Sequence, residues 1–452
     1  MEDVRQHHPR QNCPTAAQQA APTQSGSKLP HSTVRNRIVS GGARRNHVGM
    51  LAIDSSTLTK LIEAELPELI EIRHRLHRNP GTNFEERFAS ETVQRELAQL
   101  SIPFRAGLAR GTGVVGHLAG EAAAAIGLRA DMDALPIQEE NTFAYVSERP
   151  GFMHACGHDG HTTILLGTAR VLAKVAKTTP LPRPVTFVFQ PAEEGGGGGK
   201  LMIEDGCLDG SLFAPPIEQM FALHGWPDLP LGQIATRVGP MMAATHSFEI
   251  QLTGKGGHAA FPQFVRDPLV AAAGILTAAQ SIVARNVDPL EAAVISFTQC
   301  CDGTTARGET TPTFNVIADR AVLRGTIRAL KTEVGTLLTS RFAEVVHQVA
   351  AAHQCKAEIT WPLLSYPVTN NAAEAVQVLK SVLPQPVLEM PPVMGGEDFA
   401  YYGEKVPAAF FALGLRPGAE RIPGLHHPRF DFNDEAIRAG IEAFCRLALR
   451  RE

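Results

Sequence analysis

The feature that most constrains the fold is a regular alternation of helical and strand patterns that starts near residue 55 of the 452-residue chain. Apolar residues at helical spacing predict helices over residues 58–78, 162–177 and 433–451. Pro67 lies inside the first of these helices, where it could kink or divide it. Continuous apolar runs predict buried strands over residues 123–135, 185–190, 220–226 and 408–415. Strands separated by helices predict an α/β sheet with parallel character.

A different pattern interrupts this alternation in the middle of the chain. Strand patterns occur at 246–254, 292–299, 321–330 and 356–361, with helical patterns at 267–286 and 331–354. Their order, β-α-β-β-α-β, is that of the ferredoxin-like (split βαβ) arrangement. We therefore expect a two-domain α/β protein, in which residues 50–239 and 362–452 form a catalytic domain and residues 240–361 form an inserted domain.

The first 49 residues differ from the rest of the chain. They are rich in Gln, Ser, Pro, Arg and His and have no periodic apolar pattern, so we expect a disordered extension. They lack the apolar core of a secretory signal, and an organelle transit peptide is the remaining targeting alternative. Met50 directly precedes the first patterned segment, and we hypothesise that it is the working start.

Composition and charge exclude several classes of function. Lys and Arg number 42 against 46 Asp and Glu, a net charge of −4, which gives no general attraction for nucleic acid or an anionic membrane. The most apolar stretch, 269–284, is interrupted by Thr277, Gln280 and Ser281, which argues against a membrane span. Seven scattered cysteines, an odd number, indicate a reducing compartment rather than a disulfide framework, so we expect a cytoplasmic protein.

Side chains that bind metal ions collect where the predicted strands end. The stretch MHACGHDGH (153–161) contains Cys156 and His158 ahead of a helix for which Asp159 is a candidate N-cap. The other candidates follow or close separate strands: Asp131, Asp133, Glu193, Glu194, His224 and His426. Because the carboxyl ends of parallel strands line one crevice, we expect these groups to converge there.

Five of these residues form a donor set for metal ions, namely Cys156, His158, Glu194, His224 and His426. Thiolate, imidazole and carboxylate together suit zinc, and manganese, cobalt or nickel are alternatives. Five donors exceed the needs of one tetrahedral ion, so we expect two ions that share a bridging group and activate water. Glu193 points away from its neighbour in extended backbone, and we assign it as the general base.

Each of these features also has a purely structural interpretation. Glu193 and Glu194 alone would be an ordinary solvated pair, His224 alone a core histidine, and GGGGG (195–199) a flexible loop. Cys156 alone could serve packing or redox chemistry. The combination at several strand ends is what favours a metal site.

Eight segments of the chain resemble the M20 metallopeptidase family, in particular its amidohydrolase branch of N-acyl-amino-acid, hippurate and auxin-conjugate hydrolases. The resemblance rests on LRADMDALPIQE (128–139), MHACGHDGHTTILLG (153–167), QPAEEGGGGGKLMIEDG (190–206), ALHGWP (222–227), GKGGHAAFP (254–262), NVIADRAVLRGTIR (315–328), GGEDFAYY (395–402) and LHHPRFDFND (425–434). Two details depart from the branch pattern, NPG at 79–81 and Gln263 after GGHAAFP. Both weaken inferences about substrate preference.

The resemblance implies the same five metal ligands and the same base, and it adds four residues. Asp133 aligns with an acid that orients a metal ligand. The inserted domain resembles the family's lid and dimerisation domain, which implies a homodimer. There His258 is expected to reach an active site, either that of its own chain or that of a partner subunit, and polarise the scissile carbonyl. Asn315 and Arg328 are candidates for holding the substrate carboxylate.

The function expected from these observations is metal-dependent hydrolysis of the amide bond of a small N-acyl or N-aroyl amino acid. The products would be a carboxylic acid and a free amino acid. A small-peptide carboxypeptidase or dipeptidase is the alternative within the hydrolases. A non-catalytic ligand-binding relative and a thiol hydrolase that uses Cys156 as nucleophile remain open.

Overall fold

The structure is a computed structural model in which residues 51–302 and 314–451 are described. The expectations for residues 1–49 and for Met50 as the start lie outside the described residues. The described α-helices are α1 (Ser55–Arg78), α2 (Arg87–Gln99), α3 (His158–Ala176), α4 (Gly198–Glu204), α5 (Pro268–Asn286), α6 (Thr332–Ala352), α7 (Ala373–Val382), α8 (Ala400–Gly403) and α9 (Ala436–Leu449).

The described strands fall into two principal sheets and two short pairs. They are β1 (Phe104–Leu108), β2 (Gly113–Leu118), β3 (Ala125–Asp131), β4 (Val185–Gln190), β5 (Ile217–Pro230), β6 (Ile234–Thr236), β7 (Gly239–Met242), β8 (Ala244–Thr253), β9 (Gly257–His258), β10 (Ala293–Asp302), β11 (Val316–Ile317), β12 (Arg320–Ala329), β13 (Lys356–Thr360), β14 (Thr369–Asn371), β15 (Leu388–Glu389) and β16 (Ala408–Arg416).

Pro67 does not divide the first helix, since α1 continues through it. Its apolar stripe stays in phase on both sides of the proline and is buried at Leu58, Ile62, Leu69, Ile72 and Leu76. Each buried side chain of this size contributes about 1.5–3 kcal/mol. An interior proline costs about 3 kcal/mol. Burial of the stripe therefore outweighs the cost of the proline.

The larger sheet has eight strands in the order β1-β2-β4-β3-β5-β16-β6-β15. Its four central strands, β4, β3, β5 and β16, are mutually parallel, as the buried apolar runs predict. Successive side chains alternate between two apolar layers: Phe187 and Phe189 join the core with α1, α3 and α9, and Val188 joins the layer on the other face. The parallel arrangement brings the carboxyl ends of these strands to one edge of the sheet.

The smaller sheet has four antiparallel strands in the order β10-β12-β8-β13. The chain enters it at β8 and then forms α5, β10, β12, α6 and β13, which is the element order predicted from the sequence. Its own core includes Phe248, Ile250, Ile275, Leu323 and Phe342. This sheet therefore buries a hydrophobic cluster separate from that of the larger sheet.

Helix α5 is long and apolar enough to cross a membrane by length and composition, a test that core helices of globular proteins also pass. In the structure, Ala271, Ile275 and Ala279 on this helix are buried in the core of the smaller sheet. This packing accounts for the apolar character of one face of the helix.

Two local expectations were wrong. Helix α3 starts at His158, and Asp159 lies within its first turn rather than at its N-cap, which is Gly157 in a left-handed conformation (φ 90°). The carboxylate of Asp159 is instead bound by the buried side chains of Arg73 and His77. His224 lies inside β5 rather than at its end, because the pairing of β5 with β16 continues beyond that residue.

Candidate metal centre

A cleft of about 480 Å³ lies at the edge where the central parallel strands end. It is lined by six of the residues predicted from the sequence: Cys156, Glu193, Glu194, His224, Arg328 and His426. The smaller sheet contributes Arg328 to the same cleft, so both sheets form its walls.

Two triads of potential metal ligands meet in this cleft and share Cys156. The ligand atoms of Cys156, His158 and His224 all lie within 4.8 Å of one another. The ligand atoms of Cys156, Glu194 and His426 do so as well. The Cys156 sulfur is 3.3 Å from His224 Nε2, and Glu194 Oε1 is 3.1 Å from His426 Nε2. Each triad could hold one divalent ion, and Cys156 belongs to both triads.

Hydrogen bonds at the far side of each imidazole ring turn its other nitrogen towards the cluster. His158 Nδ1 contacts the carbonyl oxygen and the carboxylate of Asp133 at 2.9 and 3.1 Å. His224 Nδ1 lies 2.8 Å from the carbonyl oxygen of Gly225, to which it can donate. The Nε2 atom of each ring thereby faces the cluster and can serve as a metal ligand when the ring is neutral.

The Nε2 atom of His158 is buried and has no hydrogen-bond partner among the described residues. An unsatisfied buried polar atom costs free energy, and such atoms are rare in folded proteins. A divalent cation would satisfy this nitrogen, and sulfur, nitrogen and carboxylate oxygen are ligands that transition metals accept. The donor set therefore fits metal binding.

Asp133 holds two of the proposed ligands in place. One carboxylate oxygen contacts the ring of His158, and the other accepts a hydrogen bond from the backbone N–H of Glu194 at 2.9 Å. Its side chain is completely buried, so both bonds are shielded from water. The orienting role that the sequence resemblance implies for Asp133 would act through these two contacts.

Glu193 lies in a buried group of acids. Burial, followed by the nearby carboxyl groups of Glu397 and Glu194, raises the pKa of Glu193 well above its usual value. Its Oε1 accepts a weak hydrogen bond, 3.4 Å long, from the backbone N–H of Asp398. The carboxyl group of Glu193 therefore lies beside the proposed metal ligands, and the negative charge of its ionised form is opposed by the neighbouring acids.

Cys156 lies in an environment that opposes a free thiolate. Burial, followed by the carboxyl groups of Glu194 and Glu193, raises the pKa of the Cys156 thiol well above its usual value. A nucleophilic cysteine generally needs an electropositive surrounding that lowers its pKa. The surplus of acidic groups instead suits a site that takes up cations.

The third histidine of the 153–161 stretch, His161, was not predicted to act at the site. Its Nδ1 is 2.7 Å from Asp131, and its Nε2 accepts the backbone N–H of Gly225 at 2.8 Å. With both nitrogens engaged, His161 supports the backbone next to His224 and is not a metal ligand in this geometry. Its position three residues after His158 on a helix, hence on the same face, is the signal that could have found it.

A fully buried arginine beneath the site was also missed. Arg129 donates to Gln190 at 2.9 Å, to Asp131 at 2.7 Å and to Asp398 at 2.9 Å, and it lies 3.1 Å from a carboxylate oxygen of Glu397. The guanidinium compensates the acids that surround it, because a buried charge without a partner is strongly destabilising. Its place within a strand pattern (123–135) gave no local indication of this role.

Two predicted residues are not in the cleft of the same chain. His258, in β9, is exposed, and its Nδ1 accepts the N–H of Ala260. Asn315 is also exposed, and its carbonyl oxygen accepts the N–H of Ala259. The two residues therefore lie on neighbouring segments of a small surface pair, β9 and β11.

Arg328 does line the cleft and is half-buried. It donates to the carbonyl oxygen of Met394 at 2.8 Å, and burial lowers the pKa of its guanidinium. Within residues 51–302 and 314–451, no acidic side chain forms an ion pair with it. Its charge is therefore available to an anionic ligand.

Gly195, Gly196 and Gly197 lie in a tight turn, and Gly198 and Gly199 begin α4, so the five-glycine stretch is not a flexible loop. Gly195 and Gly197 have φ values of 121° and 65°, which side-chain-bearing residues rarely adopt. A Cβ on Gly198 would lie 1.7 Å from the carbonyl oxygen of Pro191. The turn follows Glu193 and Glu194 directly, so these glycines shape the backbone that carries both acids.

Known proteins resemble this chain in both sequence and fold. The model of peptidase family M20/M25/M40 matches residues 127–450. The chain is 37% identical to the IAA-amino acid hydrolase ILR1-like 4 of Arabidopsis thaliana over 84% of this chain and 85% of that protein. It is 40% identical to the N-acetyldiaminopimelate deacetylase of Enterococcus faecalis over 84% of this chain and 96% of that protein.

A solved structure extends this similarity to the fold. The YXEP protein of Bacillus subtilis, a dinuclear metal binding peptidase from the M20 family, is 32% identical to this chain. The two superpose with a TM-score of 0.70 over 86% of this chain and 98% of that protein.

Proposed function

Because the chain belongs to peptidase family M20/M25/M40 and is an amidohydrolase, we propose that it hydrolyses N-acyl or N-aroyl amino acids. The products are a carboxylic acid and a free amino acid. The names of its relatives support this substrate class, since one acts on an IAA-amino acid and another removes an acetyl group from diaminopimelate.

Two divalent metal ions belong to this site, and five residues would hold them: Cys156, His158, Glu194, His224 and His426. Manganese or zinc is the proposed metal, with cobalt and nickel as further candidates for this donor set. When bound, such ions polarise a carbonyl group and increase the acidity of water. The buried Nε2 of His158, which has no hydrogen-bond partner among the described residues and lies 3.8 Å from an Asp131 carboxylate oxygen, supports their presence.

The single observation that carries the proposed mechanism is the position of Glu193. Its carboxyl group lies within 4.8 Å of the ligand atoms of His158 and Glu194 but is not needed to complete either triad. Glu193 accepts the proton of the attacking water and delivers it to the leaving nitrogen. Its buried position excludes bulk water from this transfer.

Recognition of the substrate carboxylate is proposed for Arg328, with Asn315 as a second contact. The half-buried guanidinium offers a bidentate fork to a carboxylate. His258 and Asn315 lie outside the cleft of their own chain, on adjacent segments. We propose that the smaller sheet acts as a lid and dimerisation domain in a homodimer and carries both residues to the partner's cleft.

We also propose that the protein works in the cytoplasm. All six cysteines among residues 51–302 and 314–451 are free, which fits a reducing compartment.

The test is hydrolysis of a panel of hippurate, N-acetyl and indolyl-acetyl amino acids together with several dipeptides. Activity would be measured before chelation, after chelation with metal analysis, and after addition of manganese, zinc or cobalt. The proposal expects loss of turnover on chelation, recovery with metal and preference for N-acyl amino acids. The control for Glu193→Gln is Glu358→Gln, which changes an exposed acid on β13 of the smaller sheet.

Three outcomes would contradict the proposal. A preference for dipeptides would favour a peptidase. Unchanged activity in protein verified to be metal-free would favour Cys156 as a nucleophile. Absence of turnover with every substrate and metal would favour a binding protein.

A further inference from the structure

Tyr366 lies where the chain returns from the smaller sheet, between β13 and β14. Its backbone pairs with Thr245 at the start of β8, with N–H to carbonyl distances of 3.0 and 3.1 Å. The segment that enters the smaller sheet and the segment that leaves it are therefore hydrogen-bonded to each other at Tyr366. The side chain is 7% exposed and points into the cleft.

The Tyr366 hydroxyl contacts three backbone groups of the turn that carries the acids. It donates to the carbonyl oxygen of Glu193 at 2.5 Å. It accepts the N–H groups of Gly195 at 2.9 Å and of Gly197 at 3.3 Å. One donor and two acceptor positions are the full capacity of a phenolic hydroxyl, and all of them serve this turn.

The turn is irregular backbone that changes direction at three residues with positive φ. Ala192 has a φ of 53°, a left-handed value that is uncommon for a residue with a side chain, and Gly195 and Gly197 are also left-handed. Among the described strands, none pairs with this segment between the end of β4 and the start of α4. Asp133 holds it at the N–H of Glu194, and the Tyr366 hydroxyl holds it on either side of that residue.

We propose that Tyr366 is a positioning residue that sets the place of Glu193 by fixing the backbone of the 193–197 turn. The inference rests on the proposed function, because it treats Glu193 as the base and Glu194 as a metal ligand. Proton transfer requires the base within hydrogen-bonding distance of the reacting atom, and a misplacement of about 1 Å can reduce the rate about a hundredfold. The segment between β13 and β14, which leads out of the smaller sheet, thereby helps to position Glu193 and Glu194.

The test compares Tyr366→Phe with Tyr401→Phe. The first change keeps the ring that lines the cleft and removes only the hydroxyl. Tyr401 is a matched control, since its half-buried hydroxyl donates to the carbonyl oxygen of the adjacent Ser365 and its ring is 6.1 Å from that of Tyr366. It makes no hydrogen bond to the turn among the contacts of the described residues.

For Tyr366→Phe we expect kcat to fall about tenfold to a hundredfold with KM nearly unchanged. We expect Tyr401→Phe to retain kcat. Two measurements on metal-free protein do not depend on activity: hydrogen exchange of the Gly195 and Gly197 amides should accelerate, and zinc affinity in a titration should weaken, because Glu194 is on the same turn. Both effects should be absent in the control.

An unchanged kcat together with unchanged exchange at Gly195 and Gly197 in Tyr366→Phe would overturn the inference. Equal losses of kcat in the two variants would overturn it as well, since general destabilisation would then suffice. If the wild-type protein hydrolyses nothing in the substrate panel, the proposed function fails. The exchange and zinc measurements would still decide whether Tyr366 holds the turn.

Discussion

A buried histidine outside the metal cluster should make the stability of this protein depend on pH. His77 lies in α1, with its Nδ1 2.9 Å from Asp159 and its Nε2 3.1 Å from Glu139. Burial opposes the protonated ring, but the hydrogen bonds to Asp159 and Glu139 outweigh it and raise the pKa of His77 to about 9. The ordinary value is 6.5.

The sign and size of the effect follow from linkage. A group whose pKa is higher in the folded state binds its proton more tightly there, so it adds stability below the unfolded pKa and loses that contribution as pH rises through the folded pKa. The difference between the two pKa values of His77, at about 1.4 kcal/mol per unit, corresponds to about 3 kcal/mol. The contribution is complete below about pH 6.5 and is lost by about pH 9.

The assay is urea unfolding of the metal-free wild-type protein and the His77→Gln variant at pH 6, 7.5 and 9.5. The difference in unfolding free energy between them should be about 3 kcal/mol larger at pH 6 than at pH 9.5. His347→Gln, a change at an exposed histidine on α6, is the control and should show no such trend. A difference that stays constant across the three pH values would refute the reasoning.

Three further substitutions test the site. Glu193→Gln should lower kcat by about 10²- to 10⁴-fold through loss of the base, while zinc affinity measured by titration stays close to wild type; an active variant would mean that another group acts as base. Asp133→Asn leaves one side-chain oxygen for the contacts with the His158 ring and the Glu194 N–H, and it should weaken zinc binding about 10- to 100-fold. Equal zinc affinities of the variant and the wild type would exclude an orienting role for Asp133. Gly198→Ala places a Cβ 1.7 Å from a carbonyl oxygen and should lower the unfolding free energy by more than about 2 kcal/mol, whereas Gly418→Ala, with open space around its Cβ, should not.

Much of the architecture could be predicted from the sequence because the relevant signals are local. The strand of residues 185–190 has the predicted bounds, and the acids that follow it, Glu193 and Glu194, reach the cleft as expected. The contact of Cys156 Sγ with His224 Nε2 was not predicted from the sequence, which indicated only that metal-binding side chains converge at one edge of the sheet. The family and the amidohydrolase activity were confirmed, while the two-domain division and the lid role of the smaller sheet remain predictions.

The wrong expectation for Asp159 has its cause in the packing of distant elements. Asp159 was expected to cap its own helix, but it binds Arg73, which is 86 residues earlier in the chain. Its short side chain suits both roles, and only the packing of α1 against α3 decides between them. A burial pattern shows which face of a helix points inward but not which side chain of a distant helix it meets there.

The sequence by itself determined the central parallel strands and the acidic groups that follow β3 and β4, since hydrophobic periodicity and chain connectivity are written along the chain. The tertiary structure alone decided how each of those groups is held. His161 is engaged by a backbone N–H of another strand, at Gly225, and the turn after Glu193 is held by the hydroxyl of Tyr366, 173 residues later. Such contacts depend on the packing of elements that are distant in the chain, and no local pattern records which donor will meet which acceptor.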